Sequence, residues 1–421
     1  MPIVTGSGTA PSTVAGADKT VVRDVGRVAA IDVVRGMAMI LMAIDHVRVY
    51  SGLPAGGPTP GIFLTRWITH FVAPTFIFLA GTSAFLHGRK LSGTPALARF
   101  LLTRGLWLVL LELTVLRVAW TFNFDFSHYL LAGVIWVIGW SMVLLAGLIF
   151  LPTPVVTALG LVLVMGHNIV DLYARTLFPV VEGSRWAWLW QVLYFGGPVQ
   201  IGQHGPTLFV LYSIVPWIGV MALGYAFGHL VVMERRSRDR ICLMLGAAAI
   251  GLFLVLRGFN VYGDPRPWVT PEVARAATGR ANQPPAWISF LNTTKYPASL
   301  LFLLMTLGPV LLTMPFLKNA RGRVAGVLTT FGRVPFFFYM LHIPLIHLAA
   351  VLVSLVRLGS VSPWLFLNHP VMIPRAPDGY IWSLGLLYLV WAIVVVVLYF
   401  PCRWFAGVKQ RHKNIGLLSY L

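Results

Sequence analysis

Ile31-Asp-Val-Val-Arg-Gly-Met-Ala-Met-Ile-Leu-Met-Ala-Ile-Asp-His-Val-Arg-Val-Tyr50 is mostly apolar and about long enough to cross a bilayer as one helix. It nevertheless contains Asp32, Arg35, Asp45 and His46. Charge at membrane depth is costly, so such residues face a protein interior or a wet cavity and mark a functional path. Asp32, Arg35, Met39, Met42 and His46 follow 3-4-3-4 steps, which places them on one helix face. Arg35 and His46 are then about three turns, or roughly 16 Å, apart along that face. A guanidinium is a fork for anions, and an imidazole exchanges protons near neutral pH. One stripe thus carries a cation toward one leaflet and a proton acceptor toward the other. Plainer roles stay open beside these. Asp32 and Arg35, at i and i+3, suit an ion pair, and Asp45 with His46 suits a polar cap at a helix end.

Other histidines lie in apolar stretches. His70 closes Arg66-Trp-Ile-Thr-His70, and Phe337-Phe-Tyr-Met-Leu-His-Ile-Pro-Leu-Ile-His347 holds two more. Each of these three also suits a hydrogen bond between helices. His342 and His347 are five apart, a poor spacing for joint metal ligation on one helix. The sequence carries no ligand-spaced histidine motif and no phosphate-cradling glycine loop, so we expect no metal.

The elements that position these groups are membrane helices. The 421 residues are 57% hydrophobic and 11% charged, with mean hydropathy +0.79. This composition excludes an ordinary soluble domain. The net charge of +19 does not imply nucleic acid, because the basic residues gather in short connections between apolar spans. We expect an all-α polytopic membrane protein with about ten transmembrane helices, near 30–50, 66–87, 98–119, 129–150, 154–172, 207–230, 240–258, 296–316, 328–356 and 381–400. The ninth holds Pro335 and Pro344 and could divide in two. Ten spans put Lys19, Arg23, Arg27, Arg89, Lys90, Arg99, the Glu234–Arg240 run, Lys318, Arg321, Arg323, Arg403, Lys409, Arg411 and Lys413 on one side. Both termini are then cytoplasmic. The long connections Tyr173–Pro206, Phe259–Lys295 and Leu358–Tyr380 fall outside. Residues 1–27 read as a disordered tail, 28–405 as a single membrane domain and 406–421 as a basic tail. No apolar core of a signal peptide stands near Met1, so we expect the first span to stay as an anchor. Cys242 and Cys402 imply no disulfide framework.

Three stretches resemble the heparan-alpha-glucosaminide N-acetyltransferase catalytic-domain family: Ile31–His46, its first helix; Thr65–Ser83, its second; and Phe338–His347, a late helix of bacterial members. The Arg-Gly with a histidine eleven positions after the arginine also resembles the membrane sugar O-acyltransferases, whose functional pair carries over to Arg35 and His46. The family's lysosomal branch places its catalytic histidine between the first two helices. Val47–Leu64 has none, so that role falls to His46 or His70.

The resemblance implies acyl transfer from acetyl- or another acyl-coenzyme A to a small glycan or other hydroxyl or amine acceptor, in a bacterial inner membrane. His46 would be the general base, with Asp45 or another carboxylate orienting it. Arg35, steadied by Asp32, would hold the coenzyme's phosphates, and Arg66 and His342 would meet substrate. The pantetheine arm is comparable in length with the Arg35–His46 separation. A homo-oligomer is compatible with the sequence. The rival from another class is a proton-coupled secondary transporter, which intramembrane Asp, Arg and His would serve equally well.

Overall fold

Helix α1, Ala29–Tyr50, runs unbroken, so Arg35 and His46 ride on one rod. The structure is a computed structural model that describes residues 29–55, 59–317, 319–367 and 375–412. Lys19, Arg23, Arg27, Lys318, Lys413 and most of both expected tails lie outside the described residues. The helices that follow are α2 (Pro60–Gly88), α3 (94–121), α4 (Val134–Leu148), α5 (Thr153–Gly166), α6 (Ile169–Glu182), α7 (Ile214–Val231) and α8 (Arg235–Gly258). After two short helices, Pro271–Thr278 and Ala286–Leu291, come α9 (Leu300–Leu317), α10 (Arg323–Arg333), α11 (Pro335–Leu358) and α12 (Leu384–Arg411).

The architecture is helical as expected, with six helices long and apolar enough to cross a membrane among the described residues: α2, α7, α8, α9, α11 and α12. Helix α1 has the length but carries Asp32, Arg35, Asp45 and Arg48. Helices α4 and α5 are apolar but shorter, at 15 and 14 residues.

Each of the ten expected segments contains helix, with four local differences. Tyr129–Ala132 (β1) and Thr207–Val210 (β3), expected as helix starts, are strands instead. They pair in parallel, and Gly197–Gln200 (β2) adds antiparallel to β3. Their Leu, Tyr, Phe and Val suit a buried strand and merge in hydropathy with the next helix. The ninth segment is two helices, α10 and α11, and the break falls at Val334 before Pro335, while Pro344 lies inside α11. Pro disfavours helical backbone in the residue before it, which sets the break there. The connection after α5 is itself helical from Ile169 to Glu182, and α12 runs past 400 to Arg411.

Helix α1 is the hub, packed against α2, α9, α10, α11 and α12. Two glycines bring α1 and α10 backbone to backbone. A Cβ on Gly36 would sit 1.9 Å from the Leu328 carbonyl oxygen, and one on Gly332 would sit 1.8 Å from that of Asp32. Gly81 on α2 and Gly224 on α7 do the same, and Thr82 Oγ1 donates to the Gly224 carbonyl at 2.9 Å. Small residues at such crossings replace the hydrophobic drive that lipid cannot supply. Trp391 Nε1 of α12 donates to the Ile40 carbonyl at 2.9 Å, fixing a second neighbour of α1.

Helix α2 tightens into one narrow turn at Ile68–Phe71. Pro74 explains it: its ring displaces the carbonyl of His70, four residues earlier. Helix α3 carries one wide turn at Glu112–Leu116. The three ionisable residues of α3 each have a place. Arg104 faces the interior cavity. Glu112 abuts Gly133, where Oε1 would be 2.3 Å from an added Cβ, at the start of α4 where partial positive charge favours it. Arg117 holds the connection to β1 through the carbonyls of Asn123, Asp125 and Tyr129.

Candidate active site

A cavity of about 410 Å³ opens beside α1 and is lined by Arg35, Met39, Met42, Asp45 and His46 along that one helix. Four of the five residues on the 3-4-3-4 stripe, Arg35, Met39, Met42 and His46, therefore face a cavity, and Asp32 does not line it. Met39 and Met42, which the sequence alone allows as simple core, are cavity wall.

At one end stands Arg35. Its Nη2 donates to Ser83 Oγ at 2.8 Å, its Nη1 donates to the Gly332 carbonyl at 3.3 Å, and Asp32 Oδ1 lies 3.7 Å away. Asp32 does pair with Arg35, and two further partners fix the guanidinium. His87, Arg104, Arg333 and Lys409 line the same cavity from four other helices. Among the described lining residues Asp45 is the sole carboxylate, and it belongs to the other end. The Arg35 end is thus a basic mouth.

At the far end stands His46. Its Nδ1 lies 2.6 Å from Nε2 of His342, and the rings stack with centroids 4.8 Å apart. His342 Nδ1 faces the Tyr339 carbonyl at 2.7 Å. A carbonyl only accepts, so in the neutral ring that nitrogen carries the proton. The His342 Nε2 lone pair then accepts from Nδ1–H of His46. His46 Nε2 is the nitrogen left for the cavity, as a lone pair. Trp120 closes the ring's flank edge-on, with centroids 4.8 Å apart.

The group hydrogen-bonded to His46 is therefore an imidazole 296 residues away, not Asp45. Asp45 is taken by Arg48, whose Nε donates to Oδ1 at 2.9 Å. That is the expected geometry of an i, i+3 pair on one helix. His342, read from sequence as a substrate contact, is fully buried behind His46. His70 is buried with neither ring nitrogen hydrogen-bonded and its edge against Phe302, and neither it nor half-buried Arg66 lines the cavity. His347 stacks between Tyr50 and Phe122, away from His46.

Sequence reasoning missed Lys295, Tyr212, Tyr339, Arg104, Arg333 and Lys409 as cavity residues. A lysine at the end of a long polar connection gives no signal by itself. Lys409 read as an ordinary loop cation, and Arg333 fell unremarked inside the expected ninth span.

A family model described as heparan-alpha-glucosaminide N-acetyltransferase, catalytic, matches residues 27–261, more than half of the 421. The chain belongs to that family. No curated protein matches it. For this member of the heparan-alpha-glucosaminide N-acetyltransferase family, the matched segment supplies Arg35, Asp45, His46, Ser83, His87 and Arg104 to the cavity. Lys295, Arg333, Tyr339 and Lys409 come from beyond it. Membership makes acetyl transfer in a membrane the activity to be explained, and the geometry offers a proton acceptor and a basic mouth on one cavity.

Proposed function

We propose that the protein transfers an acetyl or other acyl group from cytoplasmic acyl-coenzyme A to a small glycan or other hydroxyl or amine acceptor arriving from the outer side of an inner membrane. Ten membrane crossings with both termini cytoplasmic put the Arg35 end inside and the His46 end outside. The reading rests on one observation: Arg35 and His46 line the same cavity, about three turns apart on one helix. Family membership supports the reaction class.

In this reading the coenzyme's phosphates meet Arg35, Arg104, Arg333 and Lys409, where charge-assisted hydrogen bonds are strong and bidentate geometry suits guanidinium. The thin pantetheine arm passes Met39 and Met42. The thioester then lies beside His46. Nε2 of His46 takes the acceptor's proton as its oxygen or nitrogen attacks the thioester carbon. The positive charge that develops is shared toward His342 through the 2.6 Å contact. The same ring returns the proton to the departing thiolate.

Purified protein supplied with acetyl-coenzyme A labelled on the acetyl group tests this. The expected result is binding, with slow loss of the label to water or an added amino sugar. His46→Ala should abolish that loss while binding survives. Equal turnover in His46→Ala would remove His46 as the base. Absence of both binding and turnover in the unaltered protein would reject the acyltransferase reading and return the transporter to consideration.

A further inference from the structure

The cavity's His46 end holds one more charge. Lys295 lines it, is only 7% exposed, and makes no hydrogen bond or ion pair with any described residue. Its ammonium sits over the Tyr296 ring, 5.2 Å from the centroid. A buried ammonium with no hydrogen-bonded partner is expensive, and folds keep one only where something else recovers the cost. Asp45 lines the same cavity, but its bonded partner is Arg48, so it acts on Lys295 only through longer-range charge.

The segment that carries Lys295 is clamped on both sides. Asp264 accepts from Thr294 N at 2.7 Å, from Thr294 Oγ1 at 2.8 Å and from Ser299 Oγ at 2.9 Å. Arg266 Nε donates to Thr294 Oγ1 at 3.0 Å. Arg257, buried, donates to the carbonyls of Ser289, Phe290 and Asn292. On the far side His167 Nε2 meets the Ala298 carbonyl at 2.9 Å, and Asn168 Oδ1 accepts from Leu300 N at 2.8 Å. This non-helical stretch is buried in protein and borders the cavity. Five side chains, from the end of α8 and two connections, thus hold the backbone that presents one cation to the cavity.

We propose that Lys295 is the oxyanion-stabilising group of the acyl transfer. This rests on the acyltransferase reading. When the acceptor's heteroatom bonds to the thioester carbon, its proton passes to His46 Nε2. The carbonyl π pair moves onto oxygen, which becomes O⁻. That oxygen faces Lys295. Collapse re-forms C=O and breaks the C–S bond, and protonated His46 returns its proton to the thiolate sulfur. A fixed cation in a water-poor site stabilises the charged oxygen without reorganising as the reaction proceeds.

The rival role for the same ammonium is to recognise an anionic group on the acceptor, and water as acceptor separates the two. Lys295→Met should lower kcat about 10²-fold for both acetyl transfer and acceptor-free hydrolysis of acetyl-coenzyme A, the usual loss for one oxyanion donor. Its affinity for acetyl-coenzyme A should stay within about twofold. Lys295→Arg keeps the charge and cannot act as a base, and it should recover much of the rate. Unchanged hydrolysis with a raised KM for an anionic acceptor would overturn the proposal in favour of acceptor recognition. Loss of acetyl-coenzyme A binding in both variants would overturn it in favour of a structural cation. An unaltered protein that neither transfers nor hydrolyses would fail the acyltransferase reading itself.

Discussion

The two ends of the cavity are built differently. At the Arg35 end the cations Arg35, Arg104, Arg333 and Lys409 come from four helices, and Arg333 and Lys409 stand near helix ends. At the His46 end each group is held by a short, buried set of hydrogen bonds: His46 by His342, His342 by Tyr339, Asp45 by Arg48, and Lys295 by its clamped segment. Charge that gathers from several helices suits a large, charged ligand. A fixed imidazole with an assigned lone pair suits bond making. The same helix therefore serves binding at one end and chemistry at the other. Changes at the His46 end should move kcat, and changes at the Arg35 end should move affinity.

The largest break in that contrast is His46→Ala. General-base catalysis contributes about 10²–10⁴-fold. We expect acetyl transfer to fall by roughly 10³-fold, with acetyl-coenzyme A affinity unchanged by calorimetry or filter binding. A matched loss of affinity would show that the two ends are not separable.

His342 sharpens it. His342→Phe keeps a ring in the stack but removes the acceptor for His46 Nδ1–H. His46 can then flip or change tautomer, and we expect a loss of about 10–10²-fold in kcat with affinity retained. His342→Gln can still present an oxygen, so it should lie between the two. A wild-type rate in His342→Phe would leave the 2.6 Å contact without a catalytic role.

Arg35 should behave in the opposite way. Its charged hydrogen bonds to a ligand are worth about 1.5–3 kcal/mol. Arg35→Ala should therefore weaken acetyl-coenzyme A binding by roughly 10–10²-fold, and the rate at saturation should be nearly kept. Raising salt should weaken binding to the unaltered protein more than to Arg35→Ala, since one screened cation is gone. A fall in kcat with unaltered affinity would put Arg35 in the chemistry.

The sequence disclosed these two ends unequally. Arg35 and His46 were legible because an ionisable residue in an apolar span is rare, and because one helix makes spacing into geometry. The partner of His46 was not, since His342 is separated by 296 positions and periodicity carries no information between helices. Asp45 was the near and chemically plausible orienter, but a residue adjacent on a helix points to a different face, and Arg48 claims it. Lys295 escaped because basic residues flank every span for reasons of topology. The helical class was legible from hydropathy. The strands Tyr129–Ala132 and Thr207–Val210 were not, because a four-residue apolar run beside a helix reads as more helix. The Arg-Gly pair contained more than was taken from it: Gly36 is where the Leu328 backbone rests, so the residue after the arginine also positions the helix that bears Gly332.

The smallest effect on turnover should come from that helix contact, and it separates packing from chemistry. Gly332 and Gly326 are both on α10, six residues apart. A Cβ at Gly332 would lie 1.8 Å from the Asp32 carbonyl oxygen, which is backbone and cannot swing aside, so the two helices must part. A Cβ at Gly326 would meet nothing within 4 Å. Overpacking costs about 1–3 kcal/mol, whereas replacing an open helical glycine by alanine gains about 0.4–1 kcal/mol through the unfolded chain. Gly332→Ala should lower the thermal midpoint in detergent and Gly326→Ala should raise it slightly. The Gly332 carbonyl also accepts from Arg35 Nη1, so parting the helices should loosen the guanidinium. Gly332→Ala should then weaken acetyl-coenzyme A binding by a few-fold while kcat at saturation holds. Equal thermal midpoints for the two variants would mean that α1 and α10 are not in backbone contact, and the frame that aims Arg35 into the cavity would have to be sought elsewhere.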